Sequence, residues 1–183
     1  MPSENELDIE LPAIWINQAL TAPDLLWLQG GGWRQKDWDE VTASSARLVA
    51  TFRDRLYSDV GVPNNPMFPH VVWDGRTDKS GCVQFEIPRE FTARKRSIYR
   101  VRRVDKFDTG VGSWSPGRST YNDLRRCLCG IGKTPIRVGG VLLGNIVQAK
   151  WRDDFRTQYR SSNTEDLLTE LGFYVEITYE NNG

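Results

Sequence analysis

The chain has 183 residues, a length typical of one domain, and its 39% hydrophobic and 26% charged residues are ordinary for a globular protein. Its net charge is zero, and no apolar run approaches the ~18 residues that span a bilayer, so no membrane segment is expected. The acidic N-terminus is unlike a signal peptide. Three cysteines, an odd number, argue against a disulfide framework and favour a reducing compartment.

The charges are segregated along the chain. Residues 1–88 carry 7 basic and 13 acidic side chains, residues 89–137 carry 13 and 4, and residues 138–183 carry 4 and 7. Such asymmetry is typical of a nucleic-acid-binding face or of a head-to-tail contact between copies. Distant acidic segments that fold back onto the basic one would instead neutralise it. The sequence leaves these interpretations open.

Residues 1–36 are predicted to form an N-terminal arm, and residues 37–183 a single domain. Pro12 and Pro23 limit helix length, so only short helices are expected, at 13–20 and at 24–28. The arm is too apolar to remain in solvent and should pack on its own domain or on a neighbour. The candidate docking side chains are Trp15, Leu26 and Trp27.

Two principal helices are predicted in the domain. The 3–4 spacing of Val41, Leu48 and Phe52 predicts a helix over 38–59. A second helix is expected over 120–129, with one apolar face formed by Tyr121, Leu124 and Leu128.

The remaining segments favour strands. Strands are predicted at 68–74, 82–87, 97–104, 136–141, 145–151 and 155–159, with a short helix or loop over 164–171. In the last segment Phe173, Val175, Ile177 and Tyr179 alternate with polar residues, which predicts an antiparallel strand with one solvated face. Clustered strands with segregated helices predict an α+β fold: a mainly antiparallel sheet, two principal helices packed on it, and the arm.

No catalytic motif is complete. Gly132-Lys133-Thr134 is similar to the end of a phosphate-binding loop, but Cys127 occupies the place of its first glycine. A helix is also predicted before it and a strand after it, the reverse of the order such a loop needs. His70 is the single histidine, and Cys127 and Cys129 have no metal-ligand spacing. We therefore expect no enzyme, no cofactor and no metal.

A divergent metal-dependent nuclease is the enzymatic alternative. It would place an acidic residue on one strand and a Glu-x-Lys or Asp-x-Lys on the next, to hold Mg²⁺ beside a phosphate. Asp74 and Glu86 have that order, but Pro88 stands where the lysine is needed.

The basic segment 89–106 is the main candidate surface. Interleaved with aromatic residues, it suits a phosphate backbone, which makes a stand-alone nucleic-acid-binding protein another alternative. The candidate residues for a subunit interface or a DNA-facing surface are Arg94, Lys95, Arg96, Arg100, Arg102 and Arg103.

The order of elements resembles a known family. A helix ending in Phe-Arg-Asp-Arg-Leu at 52–56 leads into Asn-Pro-Met-Phe-Pro-His-Val-Val at 65–72, which resembles the opening of the tail terminator or tail-completion proteins of long-tailed bacteriophages. Tyr-Asn-Asp-Leu at 121–124, Arg-Val-Gly-Gly at 137–140 and Gly-Phe-Tyr-Val-Glu-Ile at 172–177 are similar to that family's second half. The resemblance covers residues 38–180. The segments 1–36 and 89–103 depart from the family pattern.

This resemblance implies a structural virion protein made in the host cytoplasm. Such a protein forms a ring of its own copies, commonly a hexamer, at the head-proximal end of the tail. The ring ends tube polymerisation and joins the tail-tube protein to the head connector, with DNA passing through the lumen. The separate acidic and basic regions would suit a heterologous ring contact, which joins two different patches of each subunit.

Overall fold

A computed structural model of the chain describes residues 4–21, 35–58, 61–75, 94–106, 114–130, 133–161 and 166–181. The helices of this part of the chain are α1 (Glu4–Thr21), α2 (Gln35–Phe52) and α3 (Trp114–Leu128). Its strands are β1 (Leu56–Ser58), β2 (His70–Gly75), β3 (Arg94–Lys106), β4 (Thr134–Val138), β5 (Val141–Arg160) and β6 (Leu167–Asn181). None of these helices is long and apolar enough to cross a membrane.

The strands form one sheet in the order β1-β2-β3-β6-β5-β4. β1 and β2 are parallel, and every other neighbouring pair is antiparallel. β6, the last strand in sequence, is central: it pairs with β3 from Arg94↔Glu180 to Lys106↔Leu168 and with β5 along its other side. The predicted α+β class with a mainly antiparallel sheet is confirmed.

One face of the sheet forms the hydrophobic core. Val101 of β3 and Phe173, Val175 and Ile177 of β6 are fully buried there, and Tyr179 joins them. The predicted alternation of the last strand is confirmed, but its other face is not solvated as predicted: Glu176 is only 9% exposed, and Tyr174 and Thr178 are half-buried, because charged groups of neighbouring strands cover this side. The helices complete the core with Val41, Leu48, Phe52, Tyr121, Leu124, Cys127 and Leu128, which include the faces predicted for α2 and α3.

α1 is a full layer of this core. The helix runs through Pro12 and is longer than predicted, because the proline costs one backbone hydrogen bond while the helix buries Trp15, Ile16 and Leu20. Ser45 Oγ donates a hydrogen bond to the Ala19 carbonyl at 3.3 Å, which links α2 to α1. The predicted helix at 24–28, with Leu26 and Trp27, lies outside the described residues.

α2 ends earlier than the sequence pattern predicts. The helix stops at Phe52, where the Arg55 N–H donates to the Phe52 carbonyl at 2.8 Å and Asp54 takes a positive φ of 61°. A left-handed residue ends a helix because the chain then turns away from the axis. Leu56, predicted to be helical, instead begins β1.

Three further boundaries differ from the prediction. The predicted strand 136–141 is interrupted by a hairpin turn at Gly139 and Gly140, whose φ values of 57° and 80° favour glycine. The predicted strands 145–151 and 155–159 are one strand, β5, kinked by bulges after Ile146 and Trp151. Residues 167–171, predicted as helix or loop, belong to β6 because β3 and β5 pair with them on both sides. The predicted strand 82–87 lies outside the described residues.

Candidate assembly surface

The sheet face away from the helices is charged. Alternation along the strands turns the even-numbered residues of β3 and β6 to this side, opposite to buried Val101 and Phe173. We call the charged side chains that meet here the ionic face. They are Asp74, Arg96, Arg100, Arg102, Arg152, Glu170 and Glu176.

Arg102 is the centre of the ionic face and is only 8% exposed. Its Nε donates to Glu170 Oε1 at 3.0 Å, and its Nη1 donates to Asp74 Oδ1 at 2.5 Å. Arg100 binds the same aspartate with two hydrogen bonds, at 3.1 Å and 2.9 Å. Two guanidinium groups and two carboxylates therefore join β2, β3 and β6 side by side.

Glu170 extends this network to β5. The Tyr159 hydroxyl donates to Glu170 Oε1 at 2.9 Å, and Thr157 Oγ1 donates to Oε2 at 3.3 Å. Burial, together with the adjacent Glu170 carboxylate, raises the pKa of Tyr159 to about 12. The phenol therefore stays protonated and acts as a donor near neutral pH.

A second cluster forms around Glu176. Arg152, at the bulge of β5, donates to Glu176 Oε2 through its Nε at 2.6 Å and also through Nη2. Arg96 Nε lies 3.4 Å from Glu176 Oε1. Both clusters bring carboxylates from distant segments onto the basic strand β3. Of the interpretations of the segregated charge, this is the one in which acidic segments fold back and neutralise the basic one.

The basic candidates from the sequence thus separate into different environments. Arg96, Arg100 and Arg102 share the ionic face, whereas Arg103 lies on the helix side, 9% exposed. There its guanidinium donates to Asp105 at 2.8 Å and to Thr120 Oγ1 at 2.7 Å, and it lies 5.6 Å from the Phe52 ring centroid. The backbones of Arg94 and Lys95 pair with β6, and their side chains lie outside the described residues.

The residues considered for catalysis are held in the fold by ion pairs and burial. Lys133 Nζ forms an ion pair with Glu180 Oε1 at 3.3 Å, and Thr134 is buried in β4, which follows α3 as predicted. Burial raises the pKa of both Cys127 and Cys129 to about 12, so neither thiol ionises near neutral pH.

His70 is buried at the start of β2. Its Nδ1 is 3.0 Å from the Met67 carbonyl, and its ring lies 4.9 Å from that of Phe68 and 5.6 Å from that of Tyr57. Burial lowers the pKa of His70, which favours the neutral ring. A cavity of about 290 Å³ separates the loop before β2 from the ionic face, with His70, Arg102 and Tyr159 in its wall.

The nuclease alternative gains no support from Asp74. Both carboxylate oxygens accept hydrogen bonds from Arg100 and Arg102, so the two guanidinium groups stand where a metal ion would bind. Within the described ranges, no group of three His, Cys, Asp or Glu side chains is placed to hold a metal. Glu86 lies outside those ranges.

β5 carries a long outer edge that the sequence did not indicate. β4 pairs with β5 only from Val141 to Ile146, while β5 runs on to Arg160; beyond Ile146, β6 is its one partner strand in the described part of the chain. Residues 152–160 are exposed except for half-buried Phe155, and Tyr159 is 40% exposed.

Nearer to β4, a groove separates the same edge from α3. Its volume is about 1030 Å³, and Arg125, Arg126 and Cys129 of α3 face residues 147–151 of β5 across it. The Trp151 indole N–H donates to the Tyr121 hydroxyl at 3.0 Å, and the Arg125 guanidinium lies 4.7 Å from the Trp151 ring centroid. We call this the α3–β5 groove.

Comparison with known proteins identifies no family. No protein-family model matches the chain, and no curated protein matches it significantly. Among solved structures, the chain is similar to a chain of the "Virion of native gene transfer agent (GTA) particle", with 15% identity and a TM-score of 0.42 over 78% of this chain and 91% of that one. At this identity and TM-score, the similarity supports no conclusion about function.

Proposed function

We propose that this chain is a non-enzymatic structural subunit that assembles with copies of itself into a ring. The sequence resemblance implies where this ring lies: at the head-proximal end of a phage tail, where it ends tube polymerisation and joins the tail to the head connector. The observation that carries the assembly step is the outer edge of β5 at residues 152–160. Within the described residues β6 is the strand that pairs with this segment, and a long edge strand is a template for pairing with another chain because it presents a row of outward N–H and C=O groups.

The two ends of the sheet are different, as a ring contact needs. One end is β4, beyond which the distal part of β5 forms the edge, and the other is β1, a three-residue strand. A contact between two different patches of identical subunits generates a ring when the rotation closes. We therefore place the β5 edge of one copy beside the β1 end of the next.

Charge on the β5 edge makes such a contact selective. Arg152, Asp153, Asp154 and Arg156 put both signs on neighbouring exposed positions. A partner surface must carry the opposite charge at each of these positions. Like charges facing each other across an interface cost roughly several kcal/mol, whereas opposite charges steer the two surfaces together.

The test is the molar mass of the purified protein by size-exclusion chromatography with light scattering. We expect a discrete oligomer, and we expect Asp154→Lys to shift it towards the monomer. Glu40→Lys, the same charge reversal at an exposed position of α2, should leave the mass unchanged. A wild-type monomer at every accessible concentration would contradict the proposal.

The alternatives give different results in the same preparation. A monomer that binds DNA with an affinity falling steeply with salt supports the stand-alone nucleic-acid-binding protein. Mg²⁺-dependent cleavage that Asp74→Ala abolishes supports the nuclease.

A further inference from the structure

The α3–β5 groove exposes backbone as well as side chains. The pairing of β4 with β5 ends at Ile146, so residues 147–151 of β5 present their outer edge to the groove. The Gly130 N–H donates to the Ala149 carbonyl at 3.0 Å, so the backbone groups of Ala149 point outward and its carbonyl already has a partner in α3's C-terminal turn. Because these groups alternate along an antiparallel strand, those of Trp151 point to the same side.

The side chains that line the groove are positively charged. Arg125, Arg126 and Lys150 are all exposed, and among the described residues no acidic side chain lines the groove. Within the described ranges Lys150 makes no ion pair, and Arg126 has one at the long distance of 4.0 Å, to Asp123. An open strand edge therefore lies between cations on two elements, α3 and β5.

We propose that the α3–β5 groove binds an extended acidic segment of a partner protein. The segment adds as a strand to the outer edge of β5, with its carboxylates on the α3 side, where they face Arg125 and Arg126. Main-chain hydrogen bonds supply binding in strand addition, while side-chain pockets and charge supply selectivity.

A polypeptide fits this groove better than a nucleic acid does. The outward N–H of Ala149 and the outward N–H and C=O groups of Trp151 match the ladder of another strand, which would begin beside Gly130, the partner of the Ala149 carbonyl. The aromatic face that a base would stack on is occupied, because the Arg125 guanidinium lies over the Trp151 ring. The inference does not depend on the ring proposed above, because residues 152–160 carry that contact.

The experiment measures the binding of a fluorescein-labelled peptide of alternating Glu and Thr to the full chain by fluorescence anisotropy. We expect saturable binding at low salt. The double variant R125E/R126E should weaken peptide binding by about tenfold or more. Each exposed ion pair contributes modestly, and the variant replaces two attractive contacts with two repulsive ones. Arg118→Glu, at an exposed position of the same helix outside the groove, is the matched control and should bind as the wild type does.

Two altered peptides separate charge from strand addition. Replacing every Glu by Gln should weaken binding, and methylating alternate backbone nitrogens should abolish it. Equal binding of either altered peptide overturns the proposal, and so does unchanged binding by R125E/R126E. Circular dichroism checks that this variant is folded, and Lys150→Gln provides a second, milder test.

The remaining outcomes identify other occupants. A single-stranded oligonucleotide that binds more tightly than the peptide, and loses binding in R125E/R126E, would make the groove a nucleic-acid site and overturn the proposal. If no peptide binds and R125E/R126E loses the oligomer, the groove is a contact between copies, which also overturns it. A monomeric wild type that still binds the acidic peptide would contradict the ring and leave this inference standing.

Discussion

The two faces of the sheet use the same strands for opposite purposes. Towards the helices, Val101 and Phe173 pack into a continuous apolar core with no exposure to solvent. On the other side of the same two strands, Arg102 and Glu170 are nearly as buried but are held by ion pairs and hydrogen bonds. One face is stabilised by removing apolar surface from water, and the other by compensating the charges that it buries.

This difference separates stability from specificity. Apolar contacts are non-directional, so the core accepts small shifts in strand position. Arg102 reaches Asp74 on one neighbouring strand and Glu170 on the other only in the observed register. A slip of one residue would turn Arg102 to the apolar side. The ionic face therefore selects the register that the core stabilises.

The largest effect is expected on the apolar face. Trp15→Ala should lower the free energy of unfolding by about 3–5 kcal/mol, because it leaves a large cavity between α1 and the rest of the core. Denaturant unfolding followed by circular dichroism measures this, with Trp15→Phe as the milder comparison. A loss below about 1 kcal/mol would mean that α1 contributes little to the core.

Removing the central charge tests the ionic face. Arg102→Met should cost about 3 kcal/mol or more, because Glu170 would stay buried without its arginine and Asp74 would keep only Arg100. If the face provides register rather than stability, the double variant Arg102→Met, Glu170→Leu, which keeps the Arg100–Asp74 pair, should recover much of that loss. Failure of the double variant to recover would show that the network itself stabilises the fold.

Backbone spacing between β3 and β6 gives a smaller effect. A Cβ at Gly172 would lie 2.2 Å from the Val101 carbonyl oxygen, so Gly172→Ala should destabilise the chain by about 1–3 kcal/mol. At Gly75 a Cβ would meet only the Tyr99 ring, at 3.5 Å. Gly75→Ala is the control and should change stability by no more than about 0.5 kcal/mol. Equal effects in thermal unfolding would contradict the close approach of the two strands.

The smallest effect is a pH dependence. Because burial lowers the pKa of His70, the unfolded chain binds a proton more readily than the folded one. Stability should therefore fall as the pH decreases from above the ordinary value near 6.5 towards the lower folded pKa, by about 1 kcal/mol or less. The chain has one histidine, so His70→Gln should flatten the profile between pH 7.5 and 6. An unchanged slope would assign it to other groups.

Local patterns predicted the apolar face well. Val41, Leu48 and Phe52 marked the buried side of α2, and the alternation from Phe173 to Tyr179 marked β6, because each depends only on the period of its own element. Pro12 was misleading, because the burial of α1 outweighs one lost hydrogen bond. The two glycines of the β4–β5 turn were included in a strand because their positive φ values are not visible in a hydrophobic pattern.

The ionic face was predictable only in part. Arg100 and Arg102 were among the basic candidates from the sequence, but their partners depend on which strands become neighbours. Arg102 and Glu170 are 68 positions apart. The groove was missed for the same reason, because Arg125 and Lys150 belong to different elements and neither has a local signal. Pairing at long range follows from the burial of the whole sheet rather than from any one segment.

The central place of β6 has a consequence for how the chain folds during synthesis. Until residues 167–181 have left the ribosome, β3 and β5 lack the strand that joins them, and both expose edges that other chains can pair with. Contacts between distant segments form slowly, because the entropy cost of closing a long loop precedes the favourable contact energy. A nascent chain that stops before β6 should therefore be aggregation-prone. We expect the sheet to form only after β6 has left the ribosome.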